Sequence, residues 1–367
     1  MIQPGTTHWP VIDDLLSRHS IVVVTGNGGV GKTTVSAALG YRAATEHGRR
    51  VLVVTVDPAR RLADALGVNG LPGEAVLVPV GEGVGRLWVL MVEMGRAWDT
   101  LVGRCAPDAA TAAELLANDL YRSLTTRFVA SHDYVALDHL VLLDQGSFDL
   151  IVVDTPPGEH TDDILAASQR LRQFFDSRLL RWLTAGVGGG FGQLASRPFL
   201  AVAERLLGGD FLTQISVFFA LFARLRPGLL ARIERVERLL ESDSAAIVEV
   251  WAADDTRPRQ VGRDRSDAII VNRVLPAMSP VVTGESPGGR RVTLQATVEP
   301  SDLDALPEER LRQAVRALLV ATDGFDLRLD DDVEVAVMVR TSGGVNDLDD
   351  LGRLVAESSV PIGSERP

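Results

Sequence analysis

SIVVVTGNGGVGKTTVSAALG, residues 20–40, decides the fold. Residues 20–25 form a short β-branched run closed by Gly26, the pattern of a buried strand. Beyond it Val35, Ala38, Leu39 and Ala43 recur at helical spacing, with Gly48 as the stop. Between strand and helix, Gly26-Asn27-Gly28-Gly29-Val30-Gly31-Lys32-Thr33-Thr34 fits G-x-x-x-x-G-K-[ST]. Its glycines let backbone N–H groups turn inward, and the helix N-terminus adds positive potential. A loop of this kind holds phosphate groups. Lys32 is expected to neutralise the β and γ phosphates of ATP, and the Thr33 hydroxyl to ligate Mg²⁺. A chance glycine turn is the alternative; the preceding strand and the following Lys-Thr argue against it.

The basic residues add weight. Of 37 Lys plus Arg, 36 are Arg and the remaining one is Lys32. A bias toward Arg has removed lysine everywhere except where a compact ammonium must fit inside a ring of backbone amides. A planar guanidinium does not fit there.

Working outward, further strands are expected at 50–56 (RVLVVTV), 87–92, 150–153, 245–251, 268–271 and 333–339. Runs that are apolar throughout and separated by helices imply a parallel sheet covered on both faces. The expected class is therefore α/β: a P-loop fold with a mostly parallel central sheet and an inserted helical subdomain. The core is assigned to 1–95, 146–163 and 244–367, with a helical insertion at 96–145 and a helical subdomain at 164–243. GVGGGFG at 186–192 is a flexible break, since no strand precedes it and no Lys-Thr comes after it. Residues 279–291, rich in Pro, Gly and Ser, read as an exposed loop.

Two acidic residues stand where ligands bind in such sheets, at the carboxyl edge. Asp57, in Asp57-Pro58-Ala59, comes after the second strand and reads as a catalytic base or water-positioning group near the metal; an Asp-Pro turn is the alternative. Asp154, in Asp154-Thr155-Pro156-Pro157, comes after LIVV at the Walker B position and is expected to touch Mg²⁺ directly or through water. His160 has two readings, a γ-phosphate sensor or a surface histidine. Asn272 ends the strand AIIV and is a candidate for hydrogen bonding to adenine, or a strand-ending turn residue. Phe211, Leu212, Ile215, Phe218, Phe219 and Phe222 form either a buried helix or a groove for an apolar helix. The arginines over 224–238 read as a solvated face.

Composition excludes several functions. The net charge is −12 and the pI near 5.0, against nucleic-acid binding and anionic lipid. Cys105 is the only cysteine, which rules out an intrachain disulfide and a CxxC zinc site. The first 20 residues carry acidic side chains and no apolar centre, so a signal peptide is not expected. A cytoplasmic location is expected, with membrane association only through a partner.

Together these residues resemble the deviant Walker A ATPases, in the branch of the arsenite-pump ATPase ArsA and the tail-anchored-protein targeting ATPase. The branch pattern TDPAxxLxDAL is matched by VDPARRLADAL at 56–66, and DTAPTGHT by DTPPGEHT at 154–161. VNRVLP places Asn272 at the family's adenine position. FDSRLLRWL at 175–183 and GGDFLTQISVFFALF also look like bacterial members. The resemblance covers 20 to about 275. It is most similar to the subunit of paired actinobacterial ArsA-like ATPases that lacks the signature lysine.

That lysine is the main departure. The family pattern is G-K-G-G-x-G-K-[ST], and its first Lys reaches across a dimer to the partner's nucleotide. Here the position is Asn27, neutral and shorter, which cannot deliver a cation to developing negative charge. The resemblance thus implies a dimeric Mg-ATP-dependent switch whose helical subdomain engages an apolar client or a membrane partner. Its mate is either a second copy or a paralogue carrying the signature lysine. A weakly catalytic, nucleotide-holding regulatory subunit is the alternative.

Overall fold

The computed structural model describes residues 10–56, 61–68, 73–81, 85–125, 146–155, 172–178, 180, 209–254, 266–274, 278–283, 290–296, 326–329, 334–339, 345 and 348–357. From the amino end run α1 (Pro10–Arg18), β1 (Ile21–Thr25), α2 (Lys32–Thr45), β2 (Arg50–Thr55), α3 (Arg61–Ala65), β3 (Val76–Val78) and β4 (Arg86–Met91). Helices α4 (Met94–Cys105), α5 (Ala109–Leu116) and α6 (Asp119–Thr125) precede β5 (Leu150–Asp154). Then come α7 (Gly209–Arg224), α8 (Arg226–Leu240), β6 (Ala245–Ala252) and β7 (Ala268–Val274). The chain continues through β8 (Met278–Thr283), β9 (Arg290–Ala296), β10 (Asp326–Leu329), β11 (Glu334–Val339) and α9 (Leu348–Glu357). Two compact units result. One comprises Met1–Met91, Asp144–Asp162 and Ser242–Pro367, the other Val92–Leu143 and Asp163–Glu241.

The first unit is built on an eight-stranded sheet in the order β11-β7-β6-β1-β5-β2-β4-β3. Every pairing is parallel except that of β3 with β4. This is the α/β P-loop NTPase fold. The inner strands carry apolar residues on both faces because both faces are buried: every residue of β1, β5 and β6 is buried. Val22, Val24, Val51, Val53, Leu150 and Val152 pack with Val35, Leu39 and Ala43 of α2 in one core. The register brings Val24 beside Asp154 and Thr55 beside Asp154. Strands β1, β5 and β2 therefore end level, at one shared carboxyl edge. The sheet order turns back at β1, with β5 and β2 to one side and β6 and β7 to the other. That is where such sheets open a ligand crevice.

At the opposite edge, charge ties the strand starts together. The Arg50 N–H donates to Asp149 Oδ2 at 2.8 Å, and its guanidinium to Oδ1 at 2.7 Å. Arg49 donates to the carbonyls of Leu16, His19 and Asp149. Hydrogen bonding from the Arg50 side chain, helped by its backbone N–H, lowers the Asp149 pKa to about 2. A carboxylate depressed in the folded state stabilises it above the ordinary pKa. That contribution is lost as pH falls from 3.8 through about 2. Asp149→Asn is expected to lower stability by about 1 kcal/mol at pH 7, a figure kept small because the pair is well exposed. The gap between the two proteins should close between pH 4 and pH 2 in thermal melts. An undiminished gap at the acid end would show that the charge is irrelevant.

Residues 278–296 correct the sequence reading. Within the stretch 279–291 expected to be an exposed loop, residues 279–283 and 290–291 are strand: β8 and β9 pair antiparallel, with β10 on the far side of β9, and residues 284–289 lie outside the described residues. Composition misled because Pro280 and the glycines at 284, 288 and 289 dominate the stretch. Pro280 is tolerated because β8 is an edge strand, where a missing N–H costs no ladder bond.

The second unit is helical over its described residues. Asp108 caps α5 by accepting from the Thr111 N–H at 2.7 Å. Asn118 accepts from the N–H groups of Leu120 and Tyr121, closing the start of α6. Rings of Phe174, Phe175, Phe218, Phe219 and Phe222 cluster at centroid separations of 5.0–6.2 Å. Ser216, Phe218 and Leu221 form the buried side of α7. The side chains of Phe211 and Leu212 lie outside the described residues, as does the stretch 186–192. Arg224, Arg226, Arg235 and Arg238 are exposed, with Arg224 on Asp108 and Arg226 on Asp176. Among the described residues no single helix is long and apolar enough to cross a membrane; α7 and α8 pass only as a pair bent by 51°.

Candidate functional site

The loop after β1 needs glycine for two different reasons. At Gly26 φ is 137°, and a Cβ would stand 2.4 Å from the Val250 carbonyl oxygen. At Gly31, the N-cap of α2, φ is 95°, and a Cβ would stand 2.2 Å from Asn272 Nδ2. Both positions combine a left-handed backbone with a neighbour that leaves no room. Val30 is buried and pins the loop to the core, whereas Gly28 and Gly29 are exposed.

Lys32 begins α2, and its side chain folds back into the loop. Nζ donates to the Gly26 carbonyl at 2.8 Å and to the Asn27 carbonyl at 3.1 Å, with the residue 6% exposed. No side chain caps the N-terminus of α2. Thr33 and Thr34 are half-buried in its first turn. The loop thus gathers a buried ammonium, glycine-freed backbone and an uncapped helix start, which suits a polyphosphate.

Asp154 closes β5 and is 1% exposed. Its Oδ2 accepts from the Thr55 hydroxyl at 2.9 Å, across the level ends of β2 and β5. Thr155 donates its hydroxyl to the Val24 carbonyl at 2.7 Å, tying the residue after Asp154 to β1. Asp154 therefore stands at the sheet edge beside the loop, in a fixed rotamer. A buried carboxylate with one oxygen held by a hydroxyl has the donor chemistry that Mg²⁺ takes. Asp57 and His160 lie outside the described residues, and Val56 is the last described residue before Asp57.

Asn272 is 7% exposed, and its amide is turned to the loop. Nδ2 donates to the Val30 carbonyl at 2.8 Å and Oδ1 accepts from the Arg273 N–H at 2.8 Å. The side chain is therefore anchored to the loop on one side and to its own strand on the other. Thr55 and Arg273 escaped the sequence reading as site residues. The clue for Thr55 is a polar residue ending an apolar strand; Arg273 shows only as the second half of Asn-Arg.

Residues 19–183 match the anion-transporting ATPase family. The matched stretch holds the loop, Asp57, Asp154 and His160; Asn272 and Arg273 lie beyond it. A putative arsenical pump-driving ATPase of Aquifex aeolicus is 30% identical over 37% of this chain and 35% of its own length. The ATPase GET3 of Pyricularia oryzae is 30% identical over 41% of this chain and 45% of its own. An uncharacterized protein of Streptomyces coelicolor is 29% identical over 71% of this chain and 63% of its own. The chain thus spans from about a third to under two thirds of the length of these relatives. The matched stretch runs from β1 to β5 and on to residue 183, and so includes the loop and both acidic segments.

Proposed function

We propose that this chain is a Mg-ATP-dependent switch ATPase of deviant Walker A type. The observation that carries the reading is the buried Lys32 ammonium folded into a loop in which Gly26 and Gly31 leave no room for a side chain. In this reading the backbone N–H groups over 26–34 bind the phosphate oxygens, and Lys32 neutralises the β and γ phosphates. Thr33 and Asp154 hold Mg²⁺, with Thr55 fixing the carboxylate of Asp154. The metal, when bound, offsets charge on the phosphate oxygens. Asp57 orients the attacking water and takes its proton. The nucleotide state is read by the helical unit, which engages an apolar segment or a membrane partner in the cytoplasm. The subunits act as pairs, this chain with itself or with a paralogue that carries the signature lysine.

Asn27 favours a second reading, a nucleotide-holding subunit that hydrolyses slowly and supports an active paralogue. Pumping of arsenite through a multi-thiolate site does not suit this chain, because its one cysteine, Cys105, is buried.

Lys32→Arg tests the reading at its centre. Charge is preserved and shape is not. Calorimetric titration with Mg-ATP is expected to show binding to the wild type and at least about thirtyfold weaker binding to the variant, roughly 2 kcal/mol. Affinities within about threefold, some 0.7 kcal/mol, would overturn the steric argument.

A further inference from the structure

Asn272 and Arg273, consecutive at the end of β7, donate to consecutive carbonyls of the phosphate loop. Asn272 Nδ2 donates to the Val30 oxygen at 2.8 Å, and Arg273 Nη2 donates to the Gly29 oxygen. The contact is close, since the Asn272 amide occupies the space a Cβ at Gly31 would need. Arg273 has φ 63°, the only positive value at a non-glycine among the described residues. L side chains rarely adopt that conformation, and it persists only where the surroundings fix it. Two contacts do so here. Asn272 Oδ1 accepts the Arg273 N–H, and Asp254 Oδ1 accepts from Nη1 at 3.4 Å.

The carbonyl and N–H of a planar trans peptide point in opposite directions. Holding the oxygens of Gly29 and Val30 toward β7 therefore turns the N–H groups of Val30 and Gly31 away from it. Without these donors both peptides are free to flip and present oxygen to an anion.

We infer that Asn272 and Arg273 are positioning residues for the phosphate loop, holding the Gly29 and Val30 carbonyls toward β7 so that the N–H groups of Val30 and Gly31 face the triphosphate whatever base is attached. The inference rests on the reading of the loop as a triphosphate site. It differs from a base-reading role for Asn272 in one consequence: a brace acts on the phosphates alone, a base reader on adenine alone.

The test is titration of wild type, Asn272→Ala and Arg273→Gly with ATP, ITP and inorganic tripolyphosphate, all with Mg²⁺. Glycine at 273 keeps the left-handed backbone available while removing the side chain and its guanidinium. Each variant is expected to lose roughly tenfold in affinity for all three compounds, the scale of one lost hydrogen bond to the loop. Arg273→Lys, which keeps a donor, should recover part of the loss. The ratios across the three compounds do not depend on the fraction of folded protein; the apparent constants do, so each is corrected by the folded fraction measured from denaturant unfolding of the same variant. Loss of ATP affinity by Asn272→Ala with tripolyphosphate unchanged would overturn the inference and make Asn272 a base reader. Unchanged affinities in Arg273→Gly would remove Arg273 from it. Failure of the wild type to bind any of the three would instead overturn the triphosphate reading itself.

Discussion

Mixing this chain with a paralogue that carries lysine at the position of Asn27 is expected to raise ATP turnover by on the order of 10³–10⁵ over this chain alone, the range a desolvated trans cation supplies. The resemblance to the deviant Walker A ATPases implies that each site is completed across the interface by the other subunit's lysine. In a mixed pair, the partner's lysine would enter the site built on Lys32 and Asp57. Asn27 would face the partner's site and leave it without its cation. One site of the two should then hydrolyse fast. Single-turnover measurement should find about half of the bound ATP consumed in the fast phase. Replacing the paralogue's lysine should return the rate to the slow level. A homodimer of this chain that turns over as fast as the mixture would sink the idea. An arginine such as Arg60 or Arg61 would then have to serve the transition state.

The second large effect is expected at Asp57. Asp57→Asn should leave ATP affinity unchanged and lower turnover by roughly 10²–10⁴ in whichever assembly hydrolyses, the contribution of a positioned general base. The split between affinity and rate is the informative part. An interaction made only in the transition state lowers the rate constant and spares binding. Equal turnover of mutant and wild type would reduce Asp57 to an Asp-Pro turn.

The central sheet was readable because its strands are apolar on both faces, so no partner had to be known to recognise them. The loop was readable because strand, glycines, lysine and helix occur in one continuous stretch. What escaped the reading depends on contacts between distant segments. Strand β3 is three residues long, with Leu77 at 53% exposure, and takes its conformation from β4. The hairpin of β8 and β9 was hidden by Pro280, whose harmlessness depends on lying at an edge. Helix α1 did show its period, with Ile12, Leu15 and Leu16 all buried, but it lies ahead of the motifs that drew the reading. Asn272 stood out as the polar end of an apolar strand, yet what it touches could not be inferred: Val30 is 242 positions away. Thr55 meets Asp154 only because β2 and β5 are neighbours in the sheet, which no local pattern records.

The fold of Lys32 back into its own loop has a consequence for how the chain can be regulated. It carries a single ε-amine, and that amine is enclosed by backbone carbonyls in the phosphate loop. Acetylation, methylation or ubiquitin conjugation at lysine therefore has no neutral place to land. If the loop is the triphosphate site proposed above, any such mark would occupy the place of a phosphate and switch the subunit off. On the same reading the chain would be its own reporter: an amine-directed reagent should label lysine here only where ATP does not protect it.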